Sequence, residues 1–97
     1  MNSVEGPAKQ VITVYTVPGC LDCAAVKNLL RDAGVPFREV DISEIPRARD
    51  ALEMLSGMSS APQVFLGTTF LGQVSQIRHL IQTGEIQRMI APATEER

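Results

Sequence analysis

Cys20 and Cys23 are the chain's two cysteines, and they stand close together as Cys20-Leu21-Asp22-Cys23. A bridge across so small a loop removes little entropy from the unfolded chain, so stapling the fold is a poor reason for the pair. A secreted disulfide scaffold would carry more cysteines, spread along the sequence. The spacing suits redox chemistry instead. One thiolate attacks a disulfide, and a second thiol within reach resolves the mixed disulfide that forms. Zinc wants about four ligands, and the single histidine, His79, falls in a distant helical segment. No metal site is expected, and His79 reads as a surface or helix-flank residue.

The segments around the pair give it a mechanism. Val11-Ile12-Thr13-Val14-Tyr15-Thr16 is rich in β-branched and aromatic residues and reads as a buried strand, closed by a Pro18-Gly19 turn. From Leu21 to Ala33 the period becomes helical. Val26, Leu29, Leu30 and Ala33 share one face, and Lys27, Asn28, Arg31 and Asp32 the other. Cys20 therefore falls at the cap of a helix whose first turn offers unpaired N–H groups and a partial positive charge. Both favour a thiolate, so Cys20 is expected to be the exposed nucleophile and Cys23 the resolving thiol. Asp22 is a charge that suits a helix start but disfavours a thiolate beside it.

The rest of the chain must position this turn. Phe37-Arg38-Glu39-Val40-Asp41-Ile42 alternates apolar and charged residues as a strand near an edge does. Ser43 is expected to cap a second helix with Pro46 in its first turn and an apolar stripe of Ala48, Ala51, Leu52 and Leu55, ended by Gly57. Gln63-Val64-Phe65-Leu66 and Thr69-Phe70-Leu71 form a hairpin about Gly67-Thr68. Gly72-Gln73-Val74 is a loop, and Ser75 is expected to cap a helix bearing Ile77, Leu80 and Ile81. After Gly84, the residues Ile86, Met89 and Ile90 make a last amphipathic turn or two before Pro92. The order is β-α-β-α-β-β-α. It implies an α/β fold with a right-handed parallel crossover, a C-terminal hairpin and helices on both faces of a four-stranded mixed sheet.

Composition narrows the function classes. A chain of 97 residues with 44% hydrophobic residues is one domain with one core. A net charge of -2 gives no basic field for nucleic acid or an anionic membrane surface. No apolar run approaches the ~18 residues of a membrane span, and residues 1–10 lack the apolar centre of a signal peptide. The expectation is a soluble cytoplasmic protein, with residues 1–10 a loose leader, 11–91 the folded domain and 92–97 a frayed tail.

Taken together, Val14-Tyr15-Thr16 before Pro18-Gly19-Cys20, the C-x-x-C, Val40-Asp41-Ile42, Ala61-Pro62-Gln63-Val64-Phe65 and Phe70-Leu71-Gly72 resemble the glutaredoxin family. The resemblance covers residues 11–91 and implies a thioredoxin-like fold of the glutaredoxin type. It implies a monomeric disulfide reductase acting on disulfide-containing proteins, with glutathione as co-substrate and no tightly bound cofactor. From base rates alone a proline at position 62 would be trans, cis being about 1 in 20. The resemblance instead makes Pro62 a cis-proline facing the thiols and pairs the Ala61 backbone with a bound thiol peptide. Gly72, Ser75 and Gln76, with the N–H groups of the helix start, correspond to the site for the γ-glutamyl carboxylate. Tyr15 and Val17 would line the groove, although strand packing accounts for Tyr15 better.

Several residues depart from the family pattern. Leu21 and Asp22 stand where proline and an aromatic residue are usual, and Val17 where many members carry lysine. Met58 takes a position that is often basic or polar, Gln73 the second place of a glycine pair, and Ser75-Gln76 the place of an acidic pair. Two cations that would hold a glutathione carboxylate are thus absent. With Asp22 uncompensated at Val17, the Cys20 thiol is expected to titrate higher than in typical members. The chain is also similar to glutaredoxin-like redoxins that serve ribonucleotide reductase and are recharged by thioredoxin reductase, through its non-aromatic C-x-x-C, Val40-Asp41-Ile42-Ser43, Ala48-Arg49-Asp50 and Ala61-Pro62. Their tryptophan loop is replaced here by Phe70-Leu71-Gly72-Gln73. Glutathione and thioredoxin reductase both remain open as electron donors. An iron–sulfur scaffold held by Cys20 and glutathione is disfavoured by Leu21-Asp22, where small residues would be wanted. A non-catalytic binding module is disfavoured by retention of both cysteines.

Overall fold

A computed structural model describes residues 11–90. Strand β1 (Ile12–Thr16) is central and pairs in parallel with β2 (Phe37–Asp41) and antiparallel with β3 (Gln63–Leu66), which makes a hairpin with β4 (Thr69–Gly72). The order across the four-stranded sheet is β2-β1-β3-β4. Helix α1 (Leu21–Asp32) is the crossover between β1 and β2, α2 (Ala48–Ser56) joins β2 to β3, and α3 (Val74–Gln82) and α4 (Glu85–Ile90) follow the hairpin. The expected element order and mixed sheet are present.

Strand alternation sorts the core into two layers. Ile12, Val14, Val64 and Leu66 pack with Val26 and Leu30 of α1, Ile77 of α3 and Ile86 of α4. On the opposite face Phe65 packs with Leu52 of α2, Ile42, Tyr15 and Phe70. The Phe65 ring lies edge-on to Tyr15 at 5.5 Å between centroids and tilted on Phe70 at 5.4 Å. Full burial of such a side chain contributes roughly 1.5–3 kcal/mol, and Phe65 is 1% exposed.

Three local expectations are corrected. Ser43 does not cap α2. It sits in a 3-10 turn, Ile42–Glu44, where the Asp41 carboxylate accepts its N–H at 2.9 Å and its hydroxyl at 2.7 Å. That turn drives Ile42 into the core, and Pro46 lies outside the helix. Arg47, left-handed at φ 67°, re-aims the chain so that α2 begins only at Ala48. The expected stripe of α2 is also narrower, because so short a helix reaches the sheet chiefly through Leu52, while Ala51 and Leu55 are exposed. Finally, α3 begins one residue before Ser75. Gln73 is its cap, and the Gln73 N–H donates to Gln76 Oε1 at 2.9 Å, so that Ser75 already lies inside the first turn. The expected leader (1–10), the expected tail (92–97), the end of the domain at residue 91 and the stop at Pro92 lie outside the described residues.

Candidate redox site

The pairing register brings the site together. Tyr15 lies opposite Gln63, so Thr16, the last residue of β1, and Pro62, just before β3, fall at the same end of the sheet. The chain leading to Cys20 and the chain entering β3 therefore share one end of the sheet. The end of β4 and the start of α3 reach the same place, since Gly72 is registered with Val64.

Gly19 makes the turn into α1 at φ 72°, a conformation that costs a residue with a Cβ, and an added Cβ would meet nothing nearby. Cys20 then takes the N-cap with extended backbone (φ -99°, ψ 110°), and its Sγ accepts the Cys23 N–H at 3.0 Å. The two cysteines are joined as a disulfide with Cα atoms 5.2 Å apart. Cys20 is half-buried, whereas Cys23 is 3% exposed on the inner face of α1 beside Val26. Solvent and substrate thus reach one sulfur of the pair. The N–H bond and the helix dipole favour negative charge on that same sulfur once the disulfide opens. Leu21 is 87% exposed directly beside it, and Asp22 is exposed in the first turn.

Thr16, Glu39 and Lys27 fasten α1 to the strands below it. The Thr16 hydroxyl, buried at 2% exposure, donates to Glu39 Oε2 at 2.8 Å, and Lys27 Nζ donates to both Glu39 oxygens at 3.1 Å. Lys27 lies one turn beyond Cys23. The Thr16 hydroxyl first, and the Lys27 ammonium second, hold the Glu39 carboxyl below its ordinary value. The ion pair itself is solvent-accessible and screened.

The Ala61–Pro62 bond is cis, as the family resemblance implied and base rates did not. Two glutamines brace this segment. Gln63, 1% exposed, donates through Nε2 to the carbonyls of Met58 at 2.7 Å and Ser60 at 3.1 Å, while its Oε1 finds no partner among the described residues. Gln73 donates through Nε2 to the Pro62 carbonyl at 2.8 Å and to Ser60 Oγ and O at 3.2 and 3.3 Å.

Of the other expected site residues, Gly72 has φ 129°, and a Cβ there would run into Gln76, whose Cγ would be 2.7 Å away. Ser75 is exposed in the first turn of α3, and Gln76 is exposed with its Oε1 occupied by the Gln73 N–H. Tyr15 and Val17 both pack against the Phe65 cluster. His79 is exposed, and among the described residues no cluster of His, Cys, Asp and Glu could hold a metal ion. An open groove of about 470 Å³ borders β4, α3 and α4, with Phe70, Ser75, Gln76 and Met89 in its lining, and neither cysteine is part of it. Sequence reasoning missed Thr16, Glu39, Lys27, Gln63 and Gln73 as parts of the site. A polar Gln63 in an otherwise apolar strand was the one visible signal among them.

The family model for glutaredoxin matches residues 12–71. A glutaredoxin of Neisseria meningitidis serogroup B is 37% identical over 84 residues, covering 86% of this chain and 99% of the relative. The chain belongs to the glutaredoxin family. It is accordingly a thiol–disulfide oxidoreductase with the thioredoxin-like fold. Among solved structures, glutaredoxin from Brucella melitensis matches with a TM-score of 0.72 and 34% identity, over 88% of this chain and 94% of the other. The buckwheat glutaredoxin–glutathione complex matches with a TM-score of 0.74 over 84% of this chain and 76% of the other, and at 20% identity it supports the fold alone.

Proposed function

We propose that the protein reduces disulfides of proteins and small molecules by a dithiol cycle through Cys20 and Cys23. The observation that carries this reading is the asymmetry of the pair: an accessible sulfur at a helix cap, bonded to a sulfur buried in the first turn. The Cys20 thiolate attacks a substrate disulfide, forms a mixed disulfide and expels one substrate thiolate. Cys23, losing its proton, attacks Cys20 Sγ, which closes the internal disulfide and releases the second substrate thiol. Two electrons have then passed to the substrate; Cys23 supplies one proton, and the first thiolate takes the other from solvent.

Glutathione is the proposed reductant. Two molecules would reopen Cys20–Cys23 and leave as their own disulfide. The Ala61 backbone beside Pro62 would pair with the cysteinyl unit, and Gly72, Ser75 and Gln76 at the start of α3 would receive the γ-glutamyl carboxylate. The buckwheat relative is described in complex with glutathione, which supports this assignment. A second reading, recharging by thioredoxin reductase, draws support from Val17 and Met58. One packs inward and the other is apolar, where the family pattern would place cations. The protein is proposed to act as a cytoplasmic monomer.

The test is recycling of the oxidised protein by glutathione or by thioredoxin reductase with NADPH. Faster recycling by glutathione is expected, and recycling by the reductase alone would replace the first reading with the second.

A further inference from the structure

We propose that Gln73 is a positioning residue for substrate docking, its carboxamide fixing the carbonyls on both sides of Ala61. The inference rests on the reading that the Ala61 backbone pairs with a bound thiol peptide. A carboxamide nitrogen has two N–H groups. One is directed at the Pro62 carbonyl at 2.8 Å, and the other is shared between Ser60 Oγ and O at 3.2 and 3.3 Å. Gln73 thus reaches from the cap of α3 across to the segment entering β3.

The geometry explains why a side chain does this work. Strand β4 ends at Gly72, registered with Val64, so no further β4 residue is in register with Pro62. The Gln73 amide supplies a donor to the Pro62 carbonyl where the ladder has run out. Gln76 holds the Gln73 backbone through its Oε1 at 2.9 Å, and Gly72 leaves the room that Gln76 needs. The start of α3 and the cis-proline segment are thereby one hydrogen-bonded unit. Gln63, anchored to Met58 and Ser60, braces the same segment from beneath. Ala61, half-buried between Ser60 and Pro62, is presented with both neighbouring carbonyls already held.

A docking role separates from a purely structural one by substrate. Pre-reduced protein is mixed with either of two disulfides that share a leaving group: a linear peptide whose cysteine is joined to 2-mercaptoethanol, or bis(2-hydroxyethyl) disulfide. Closure of Cys20–Cys23 is followed by quenched alkylation in single turnover, with melting temperatures recorded for each variant. Gln73→Met keeps the length and removes the donors. It should raise the half-saturating concentration of the peptide ~10-fold, the scale of a buried carbonyl left unpaired. Its limiting rate, and its rate with the small disulfide, should stay at the parent values. Gln73→Glu, with a carboxylate facing three oxygens, should weaken peptide saturation further.

An unchanged half-saturation in Gln73→Met, or equal losses with both disulfides, would overturn the proposal. Failure of the underlying Ala61 reading shows separately, in the parent protein, as no preference for the peptide over the small disulfide.

Discussion

The sulfur of Cys20 accepts the backbone N–H of Cys23 at 3.0 Å. Cys23 thus supports the more accessible sulfur through its backbone while its own side chain stays buried. This division of labour within one helical turn underlies the first prediction. Cys20→Ser should abolish disulfide reduction, and Cys23→Ser should retain attack but accumulate mixed disulfides, visible by intact mass. Trapping on the Cys20→Ser variant instead would reverse the assignment of the two roles.

Asp22 is exposed in the first turn of α1, next to the chain segment that carries Cys20. Its negative charge opposes the thiolate that the helix start favours. Asp22→Asn should lower the Cys20 pKa, and the difference should shrink with added salt because the charge is solvated. Alkylation rate against pH measures both, and an unchanged or raised pKa counts against the argument.

Thr16 and Glu39 link acid stability to the floor of the site. The folded-state pKa of Glu39 lies below 4.5, first because of the Thr16 hydroxyl and then because of Lys27. A depressed carboxyl stabilises the fold above its unfolded pKa, and that contribution is lost as pH falls through the folded value. Asp41, held down by the Ser43 hydroxyl and N–H, acts in the same direction. Thr16→Val should therefore cost ~1 kcal/mol at pH 7, low for a charged acceptor because solvent reaches Glu39. It should also flatten the fall in melting temperature below pH 4.5, where Glu39 protonates. An identical pH slope in parent and variant would remove Glu39 from the explanation.

Gly72→Ala joins two costs, a backbone at φ 129° that L-residues rarely adopt and a collision with the Gln76 side chain. Destabilisation of about 1–3 kcal/mol is expected from the backbone conformation alone, read by chemical denaturation. Gly19→Ala shares the positive φ but meets no neighbour, so it should cost less. Equal losses would show that the contact with Gln76 is unimportant.

Much of this fold was written in local patterns. The β-branched run ending at Thr16, the turn at Pro18-Gly19 and the helical period through Leu30 each follow from short-range sterics and the burial of one face. Together they placed Cys20 and Cys23 at a strand-to-helix turn. Where the sequence misled about helix caps, a competing local bond was the cause. Ser43 looked free to cap a helix until Asp41 engaged it, and Ser75 looked like a cap until Gln73 and Gln76 paired.

By itself the sequence determined the cysteine pair, its place at a helix start and the β-α-β-α-β-β-α frame, because cysteine spacing and hydrophobic period act over a few residues. Tertiary structure alone decided which groups stand around the pair. Thr16, Lys27 and Glu39 come from three elements, and Ser60, Gln63 and Gln73 from chain segments that meet only when the sheet registers. Their hydrogen bonds form because buried carbonyls and hydroxyls must find partners once water is excluded. No periodicity records which glutamine will be the one in reach.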